Sequence, residues 1–484
     1  MDSSATAIGV RTSRLTSFVG GATLPHDGAI LDLIRPSDGQ AGAQLIEAGE
    51  VGAAAAVADA DRAFREHRRS TLHLRAQWLR SMAAALNGTA EEFAQIVCQD
   101  IGKPIRPARF ESKRGAEFLE ACASAVLHLA GEMVPVDAAP LGARHIGFTR
   151  FVPYGVVAAI TPFNAPINLL VQKVGPALAA GNAIVVKPAP AGTRAALALA
   201  RIFVEAGLPK GLFNVVTGDR ATARALVTHP DVRAVTFTGG TEAGDALMRA
   251  AGNKKFVSEL GSNAANIVMA DADLDDAAIK IAAAAFEASG QQCISAQRIL
   301  VHRTVVDAFG ERLTAAARKL KVGSAEDQTT DVGPMVNAAA AARVMDMASD
   351  AIVRGARTLL EPTRHNCIVS PGIFINVPHE SRLWREEVFG PLALLESFDT
   401  IEDALTLAND SPFGLQGSVF TKDIATAMRF SEDFEVGSLW INEASRFRLD
   451  MYPFGGMKSS GTGREGVRYA IEELSQIKFT GLKF

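Results

Sequence analysis

Cys293 is the residue whose surroundings point most directly to chemistry. It lies in the segment GQQCIS, 290–295, behind a glycine and two glutamines. A cysteine thiolate is a strong nucleophile, and the thiolate fraction rises where the local field is positive. The segment therefore predicts a covalent nucleophile. The alternative is a packed small residue, which the apolar helical patterns around Cys98 and Cys122 favour for those two thiols.

The four cysteines share no short spacing. Cys98, Cys122, Cys293 and Cys367 are far apart in the chain, without a CxxC pair and without histidines at zinc-like spacing. Metal sites and disulfide frameworks have characteristic spacings of that kind. The sequence therefore predicts neither a metal site nor a disulfide framework.

The composition indicates a soluble globular protein of two or three domains. The 484 residues exceed what one hydrophobic core usually organises, and 49 basic and 53 acidic side chains give a net charge of −4. This balance offers no surface for a phosphate backbone, so we expect no nucleic acid partner. The longest apolar stretches are too short for a bilayer, and the N-terminal MDSSATAIGVRTSR lacks the apolar core of a secretory signal. We expect a cytoplasmic protein with no membrane role.

The elements that must position Cys293 form two alternating series. From about 155 to 268, β-branched runs such as GVVAAIT and RAVTFTGG alternate with helical stretches, and a second series runs from RILVH through LALLESF to SLWINE. Strands alternating with helices predict βαβ units, and hence doubly wound, Rossmann-like parallel sheets of the α/β class. We expect two α/β lobes with an active-site cleft between them.

One turn of the first series fits a nucleotide. In FTGGTEAG, 237–244, a strand ends at Phe237, small residues follow, and a helix begins. Phosphates bind at such helix N-termini beyond the carboxyl ends of strands. The segment lacks the GxGxxG fingerprint, so taken alone it fits a simple connection equally well.

Seven motifs follow one another in a fixed order along the chain. They are TPFNAPINLLVQKVGPALAAGN (161–182), VVKPAP (185–190), FTGGTEAG (237–244), SELGS (258–262), GQQCIS (290–295), EEVFGP (386–391) and PFGGMKSSGTGREG (453–466). In this order they resemble the motifs of the NAD(P)-dependent aldehyde dehydrogenase superfamily, over nearly the whole chain. The resemblance implies oxidation of an aldehyde to a carboxylic acid, with hydride transfer to NAD or NADP.

The resemblance implies catalytic roles for five residues. Cys293 attacks the aldehyde carbonyl, and the Asn164 amide stabilises the resulting oxyanion together with the backbone N–H of Cys293. Hydride transfer leaves a thioester, and Glu259 acts as general base for the water that cleaves it. Lys173 and Glu465 match positions of a proton relay behind that base. Each residue alone also fits a structural role, so the inference depends on their joint occurrence.

A cofactor site is implied in the same way. It consists of Thr161, Pro162, Lys187, Pro190, Arg220, Phe237, Gly239, Gly240, Leu260, Glu387 and Phe389. Pro190 departs from the family, because many NAD-preferring members have a glutamate there that accepts the ribose hydroxyls and repels a 2′-phosphate. Without that carboxylate, Lys187 and Arg220 are available to pair with the extra phosphate of NADP. The alternative is that Arg220 is a surface arginine and NAD binds, so the preference stays open.

Three arginines indicate the substrate class. Arg446 and Arg448 come just before the PFGG motif, and Arg114 lies on a predicted helix. Family members that oxidise short anionic or hydroxylated aldehydes, such as lactaldehyde, succinate semialdehyde or glyceraldehyde 3-phosphate, use arginines in comparable segments. By analogy we expect these arginines to hold a carboxylate or phosphate, the alternative being surface or interface ion pairs. Gln292 replaces an arginine of some phosphate-handling relatives, which disfavours a phosphorylated substrate.

The resemblance also divides the chain into parts. It implies a dinucleotide-binding domain of residues 1–128 and 150–260, a catalytic domain of residues 261–447, and an oligomerisation arm of residues 129–149 and 468–484. Segments 142–153 and 475–484 alternate apolar and polar residues, as half-exposed strands do. Such strand edges invite a partner strand, so we expect a homodimer or homotetramer.

Three rival functions compete with this interpretation. A coenzyme-A-acylating aldehyde dehydrogenase uses the same thiol, but such relatives generally lack the glutamate that matches Glu259. A thiol hydrolase or acyltransferase requires a base such as histidine near Cys293, and none of the nine histidines has a matching context. The third rival is a non-catalytic structural protein on the same scaffold, against which the joint presence of Cys293, Glu259 and Asn164 weighs.

Overall fold

A computed structural model of the chain describes residues 14–484. The expectation that the N-terminal stretch is not a secretory signal concerns mainly residues 1–13, which lie outside the described residues. Within the described part, no helix has both the length and the apolar character needed to cross a membrane.

The N-terminal elements are five short strands followed by four helices. They are β1 (Arg14–Leu15), β2 (Ser17–Val19), β3 (Ala22–Leu24), β4 (Ile30–Ile34), β5 (Ala41–Ile46), α1 (Gly49–His67), α2 (Leu72–Gly88), α3 (Ala90–Ile101) and α4 (Ile105–Val126). The Thr71 side chain accepts from the backbone N–H of Leu74 and caps α2. Helix α3 ends at Gly102, whose φ of 73° is left-handed and favours glycine.

The first predicted series appears as expected. It comprises β6 (Met133–Val134), β7 (His145–Pro153), β8 (Val156–Thr161), α5 (Asn168–Ala180), β9 (Ala183–Pro188), α6 (Thr193–Glu205), β10 (Phe213–Val215), α7 (Arg220–Thr228), β11 (Val232–Thr238), α8 (Thr241–Ala251) and β12 (Lys255–Glu259). Every residue of β8 and of α5 is buried, because both lie in the middle of the lobe. Strands buried on both faces are continuous apolar runs, and the apolar segment GVVAAIT predicts such a strand.

The second series carries most of the remaining chain. It comprises β13 (Ala265–Val268), α9 (Leu274–Phe286), β14 (Arg298–His302), α10 (Val306–Lys319), α11 (Ala338–Val353), β15 (Arg357–Leu360), β16 (Arg364–His365), β17 (Ile368–Val369), β18 (Gly372–Ile375), α12 (Arg382–Arg385), β19 (Leu392–Phe398), α13 (Ile401–Asn409), β20 (Phe413–Gly414), β21 (Gln416–Phe420), α14 (Ile424–Asp433) and β22 (Ser438–Ile441). The chain then forms β23 (Met457–Lys458), β24 (Gly461–Thr462), α15 (Val467–Glu473) and β25 (Ser475–Lys483). Strand β18 begins two residues before the segment FINVP that predicted it.

The first large sheet has the strand order β24-β12-β11-β8-β9-β10-β2-β3. The five strands from β12 to β10 are parallel, and the flanking strands are antiparallel. Along the chain, β8, β9 and β10 extend the sheet in one direction, whereas β11 and β12 extend it in the other. The order therefore reverses between β8 and β11, and ligands of doubly wound sheets bind beyond the strand ends at such a point.

The second large sheet has the order β15-β18-β19-β14-β13-β21-β22 and is parallel except at β15. Alternate residues of its strand β14 pack in different cores. Leu300 packs in one apolar cluster, while Ile299 and Val301 pack in another. Both faces of the sheet are thus covered. The predicted α/β class with two doubly wound lobes is confirmed.

A small third sheet pairs the two segments predicted as half-exposed strands. Strands β25 and β7 are antiparallel from Ser475 opposite Pro153 to Lys483 opposite His145, with β6 on the other side of β7. Helix α15 packs on the first lobe, where Val467 and Ile471 are buried in the core. Strand β24 also joins the first sheet, so the chain returns to this lobe before β25 begins.

Candidate active site

A cleft opens where the strand order of the first sheet reverses. Its volume is about 720 Å³, and its walls include Cys293 and Asn164. Every residue predicted to bind the cofactor lines it: Thr161, Pro162, Lys187, Pro190, Arg220, Phe237, Gly239, Gly240, Leu260, Glu387 and Phe389. The structure thus brings the predicted nucleophile, the predicted oxyanion donor and the predicted cofactor residues to one cavity.

The cysteine loop has an unusual backbone. Ala288, Ser289 and Gly290, which lead into the GQQC segment and include its glycine, have φ values of 52°, 60° and 63°. A Cβ on Gly290 would lie 2.3 Å from the carbonyl oxygen of Gly390, so only glycine fits against that loop. The Ser289 hydroxyl donates to the Gly333 carbonyl at 2.7 Å and helps to hold the turn. Such left-handed residues are costly and persist where the surroundings fix a functional geometry.

Asn164 approaches the cysteine loop from the connection between β8 and α5. Its side-chain Nδ2 donates to the backbone carbonyl of Gln291 at 2.9 Å, two residues before Cys293. Gln291 itself is buried, and its Oε1 accepts from the backbone N–H of Val336 at 3.0 Å. The amide of Asn164 therefore lies beside the nucleophile loop.

Glu387 and Phe389 form the opposite wall of the cleft. Oε1 of Glu387 accepts from the backbone N–H of Ser262 at 3.0 Å, and burial raises the pKa of this carboxyl to about 7. Phe389 has a φ of 47° and meets the ring of Phe163 edge-on at 5.9 Å between centroids. Arg343 holds this loop by donating to the carbonyls of Glu387 and Val388 at 2.6 and 2.8 Å.

The far end of the cleft fits a nucleotide. Lys187 is buried there, and burial lowers its pKa. At the N-terminus of α8, a Cβ on Gly239 would lie 2.8 Å from the ring of Phe237, so the glycine keeps this edge of the cleft open. Arg220 and Arg224 lie one turn apart on α7, and both line the cleft. The residues present suit the phosphates and ribose of a dinucleotide.

A charged cluster lies behind Cys293, and we call Lys173, Glu259, Arg448 and Glu465 the rear cluster. The Lys173 ammonium donates to Glu465 at 3.2 Å and to the Thr236 hydroxyl at 3.1 Å. Arg448 donates to the other oxygen of Glu465 at 2.8 Å. Side-chain exposure is 1% for Lys173, 4% for Glu465 and 9% for Arg448, so all three charges are buried.

The pKa values of the two carboxyls in the rear cluster are shifted in opposite directions. Burial alone raises the pKa of Glu465, but Lys173 and Arg448 outweigh it, and the pKa lies below its usual value. Burial and the neighbouring Glu465 carboxylate raise the pKa of Glu259 well above its usual value. Neither oxygen of Glu259 has a hydrogen-bond partner among residues 14–484. Glu259 is therefore the carboxyl of the pair that holds a proton more tightly.

The thiol of Cys293 is protonated near neutral pH in this structure. Burial, together with Glu387, Glu259 and Glu465, raises its pKa to about 12, and Arg448 acts in the opposite direction. A positive local field would favour the thiolate. Here burial opposes the charge of the thiolate, and the carboxyls around the sulfur outnumber the one guanidinium. The Cys293 thiol must therefore lose its proton as it attacks the substrate.

The three predicted substrate arginines are all ion-paired, and none lines the cofactor cleft. Arg114 is bidentate to Asp450 at 2.6 and 3.0 Å. Arg446 pairs with Glu287, and its Nε donates to Oε1 of Gln292 at 3.0 Å, next to Cys293. The ion-pair alternative thus describes Arg114 well, whereas Arg446 and Arg448 reach the surroundings of the thiol.

Arg448 is the least satisfied of the three. It shares Glu465 with Lys173, so these three side chains keep one net positive charge. Its Nε lacks a hydrogen-bond partner within the described chain. The guanidinium lies 3.7 Å from the ring centroid of Phe454, and Cys293 packs in the same small apolar cluster as Phe454. A free cationic donor therefore lies close to the nucleophile.

A second cavity of about 340 Å³ adjoins the cysteine loop. Arg446 and Glu287 form one part of its wall, and Arg106, Phe110 and Asp331 form another. Arg446 also donates to Gln292, so one wall residue of this cavity contacts the cysteine loop.

Sequence reasoning missed several residues of the site. Gln172 bridges two charged groups, accepting from Arg448 at 3.1 Å and donating to Asp450 at 3.2 Å. It precedes Lys173 in the TPFN motif, and that adjacency was the available signal. Arg224 follows Arg220 by four residues, a helical spacing that places both on one face. No comparable signal indicated Asp450.

Among residues 14–484, no group of three or more histidine, cysteine or carboxylate side chains is arranged to hold a metal ion. The four cysteines, which include buried Cys98, Cys122 and Cys367, form no disulfide in this structure.

Comparison with known proteins identifies the family. The model described as "Aldehyde dehydrogenase family" matches residues 24–480. The 3-sulfolactaldehyde dehydrogenase of Priestia megaterium is 44% identical over 399 residues, which are 82% of this chain and 84% of that protein. A succinate-semialdehyde dehydrogenase structure from Burkholderia pseudomallei has a TM-score of 0.94 and 35% identity, over 98% of both chains.

A third relative bears on the cofactor. The NADP-dependent glyceraldehyde-3-phosphate dehydrogenase of Bacillus halodurans, complexed with NADP, has a TM-score of 0.94 and 31% identity, over 97% of this chain and 99% of that one. The present chain belongs to the aldehyde dehydrogenase family. It is an NAD(P)-dependent enzyme that oxidises an aldehyde to an acid.

Proposed function

We propose that this aldehyde dehydrogenase oxidises a short anionic aldehyde, with Cys293 as the nucleophile and Glu259 as the base for hydrolysis. The observation that carries the proposal is the convergence of Cys293, Asn164 and the predicted cofactor residues on one cleft. The partly unsatisfied Arg448 behind the thiol supports the anionic substrate. NAD or NADP, when bound, supplies the hydride acceptor.

The first half of the reaction acylates the enzyme. The Cys293 sulfur attacks the aldehyde carbon while its proton departs, and the carbonyl oxygen becomes an oxyanion. The Asn164 amide and the backbone N–H of Cys293 donate to that oxygen, and one such donor contributes about 3 kcal/mol. Loss of hydride from the same carbon leaves a thioester on Cys293. A pKa of about 12 for the thiol means that a base must take its proton as attack proceeds.

The second half releases the acid. Glu259, as the carboxylate, takes a proton from water, the hydroxide adds to the thioester carbon, and the carbon–sulfur bond breaks. The carboxylic acid and the Cys293 thiolate form first, and the proton of the acid then passes to the sulfur, which leaves a carboxylate product and the Cys293 thiol. The raised pKa of Glu259 suits this task, since a base whose pKa approaches the working pH accepts a proton readily.

Lys173 and Glu465 are proposed to control the charge around Glu259 as this base gains and loses its proton. Their ion pair is buried directly behind the base, and Lys173 also donates to Thr236. Because Glu465 stays ionised between two cations, it keeps Lys173 charged and hydrogen-bonded while Glu259 changes state. The two residues therefore set the protonation of the base without touching the aldehyde.

The substrate anion is proposed to bind at Arg448, with Arg446 as a second cation near Gln292. Arg448 has a buried donor without a partner, and a carboxylate or sulfonate would satisfy it. The names of the relatives, 3-sulfolactaldehyde and succinate-semialdehyde dehydrogenase, describe aldehydes with such a group. Arg114 is paired with Asp450, which Gln172 joins to Arg448, and we assign Arg114 to support of the Arg448 segment.

We also propose a preference for NADP. Pro190 places no carboxylate on the cleft wall where Lys187, Arg220 and Arg224 lie. Three cations without an opposing glutamate at that position favour a 2′-phosphate over a ribose hydroxyl. Asp219 also lines this end of the cleft, so the field there is not purely positive.

The assembly is proposed to be a homodimer or homotetramer that works in the cytoplasm. Strand β25 is the outer strand of the arm sheet, and Ile477, Phe479 and Leu482 on it are more than half exposed. An exposed apolar edge of this kind favours pairing with another subunit. The arm is proposed as residues 129–149 with β25, joined to a dinucleotide-binding domain formed by the first lobe and a catalytic domain of 261–447.

One assay tests the proposed function. Reduced cofactor is followed with succinate semialdehyde and propanal, with NAD or NADP, and with or without coenzyme A. We expect turnover without coenzyme A, preferentially with the anionic aldehyde, and loss of all detectable turnover in Cys293→Ser. Wild-type turnover by that variant would remove Cys293 from the mechanism, and strict dependence on coenzyme A would replace the hydrolytic route.

A further inference from the structure

The loop that carries Asn164 is held at both ends by side chains from another part of the chain. Asn164 lies between β8 and α5, and its side-chain amide is committed to the cysteine loop. Its backbone carbonyl accepts from Nζ of Lys103 at 2.8 Å. Lys103 lies just before α4, 61 residues upstream, so the contact is purely tertiary.

Glu111 completes the arrangement. It lies on α4, forms an ion pair with Lys103, and its Oε1 accepts from the backbone N–H groups of Ile167 and Asn168 at 2.9 and 3.2 Å. One carboxylate therefore binds the end of the loop, while the ammonium paired with it binds the beginning. Exposure is 10% for the Lys103 side chain and 4% for that of Glu111, so water does not compete for these bonds.

The start of α5 depends on this carboxylate. Its N-cap residue, Ile167, has no side chain able to cap, and the preceding Pro166 has no N–H. Glu111 supplies the missing acceptor and places a negative charge at the positive end of the helix. Helix α5 also carries Lys173. By holding the start of this helix and the loop before it, the pair of Lys103 and Glu111 supports the Asn164 amide in front of the thiol and the Lys173 ammonium behind it.

We propose that Lys103 and Glu111 are positioning residues that aim the Asn164 amide at the developing oxyanion. The inference rests on the proposed oxyanion role of Asn164. A buried ion pair contributes little net stability, because desolvation offsets its attraction, whereas this pair directs both of its charges at one loop. The fixed carbonyl and two N–H groups hold the backbone of the loop, and the hydrogen bond from Asn164 Nδ2 to the Gln291 carbonyl orients the side-chain amide.

A double-mutant cycle tests the proposal through single-turnover formation of reduced cofactor. Lys103→Met should slow acylation roughly tenfold to a hundredfold, as misplacement of an oxyanion donor does. In the Asn164→Ala background the same change should slow it less than about twofold, because the donor is already gone. Glu111→Gln keeps an acceptor for the two N–H groups and should give a smaller loss, and Lys103→Arg should restore part of the rate.

Arg75→Met is the matched control. Arg75 is also a buried cation of this lobe and binds the other end of α5, donating to the Ala179 carbonyl at 3.2 Å. We expect it to lower the melting temperature without slowing acylation. Equal slowing by Lys103→Met in both backgrounds would overturn the positioning role while leaving the proposed function intact. A wild-type rate for Asn164→Ala alone would instead overturn the oxyanion assignment and, with it, this inference.

Discussion

The cleft in front of Cys293 and the rear cluster behind it meet at one sulfur atom but are built in opposite ways. The cleft is lined by strand ends, glycine turns and partly exposed side chains from consecutive motifs. The rear cluster consists of buried charges from β12, α5 and two segments near the end of the chain. The shape of the backbone therefore determines the geometry of the cleft. The pairing of buried charges determines the geometry of the rear cluster.

This difference appears in three carboxyls. Burial raises the pKa of Glu387, on the cleft wall, to about 7, with a backbone N–H as its main opposing partner. In the rear cluster burial is more complete, yet the pKa of Glu465 falls and that of Glu259 rises. Lys173 and Arg448 both contact Glu465 and only act on Glu259 from a distance. Because Glu259 and Glu465 are both buried, the position of the two cations explains why their pKa values shift in opposite directions.

The largest expected effect comes from removing the base of the rear cluster. In Glu259→Gln, acylation should proceed, because the cleft is intact, but thioester hydrolysis should slow by roughly a hundredfold or more. Stopped-flow measurement should show one equivalent of reduced cofactor per active site, followed by slow turnover. Glu242→Gln, on the cleft wall, is the control and should keep steady turnover. Steady turnover by Glu259→Gln without a burst would remove Glu259 from the hydrolytic step.

A smaller effect is expected from Arg448→Met. Loss of the charged donor should lower kcat/KM for succinate semialdehyde roughly tenfold to a hundredfold, because an anion loses its charge-assisted hydrogen bond. With neutral propanal the loss should be only a few fold, reflecting the changed field on Glu465 and Glu259. Arg114→Met, whose charge is already matched by Asp450, should affect both aldehydes about equally. A similar loss for both aldehydes in Arg448→Met would assign Arg448 to the relay alone.

The cleft is tested by Pro190→Glu. A carboxylate on this wall should weaken NADP binding by roughly tenfold through repulsion of the 2′-phosphate, while NAD binding holds or improves. Pro190→Gln introduces a side chain of similar size to glutamate but without the charge. It should leave the ratio of the NADP and NAD dissociation constants within about twofold of the wild-type ratio. Fluorescence titration of the two cofactors measures both values. An unchanged ratio in Pro190→Glu would exclude charge at this position as the determinant.

The smallest effect concerns stability and pH. Because the folded-state pKa of Glu259 lies above its unfolded value, the folded protein binds the proton more tightly, and stability falls as pH rises through the folded pKa. Glu259→Gln removes this dependence. The melting temperature of the variant minus that of the wild type should therefore increase from pH 5.5 to pH 8.5, by roughly one to a few degrees. A difference that shrinks over this range would contradict the raised pKa of Glu259.

The sequence predicted the cleft well because its residues lie within motifs. Phe237, Gly239 and Gly240 belong to one strand-to-helix turn, so the backbone that joins them also places them together. Lys187 and Pro190 follow β9 in the same way. The contacts of the three arginines proposed for the substrate could not be predicted, because an arginine near a motif does not reveal its ion-pair partner. The structure paired Arg114 with Asp450 and Arg446 with Glu287.

The amino-acid sequence by itself determined the order of the strands and helices, the α/β class, and most of the residues that line the cleft. These follow from local patterns and from motifs whose members are close in the chain. Only the tertiary structure decided which cation meets which carboxylate, that the pKa of Glu259 rises while that of Glu465 falls, and that Lys103 and Glu111 hold the Asn164 loop. Those properties depend on distances between atoms remote in the chain and on their removal from water, which no local pattern of residues encodes.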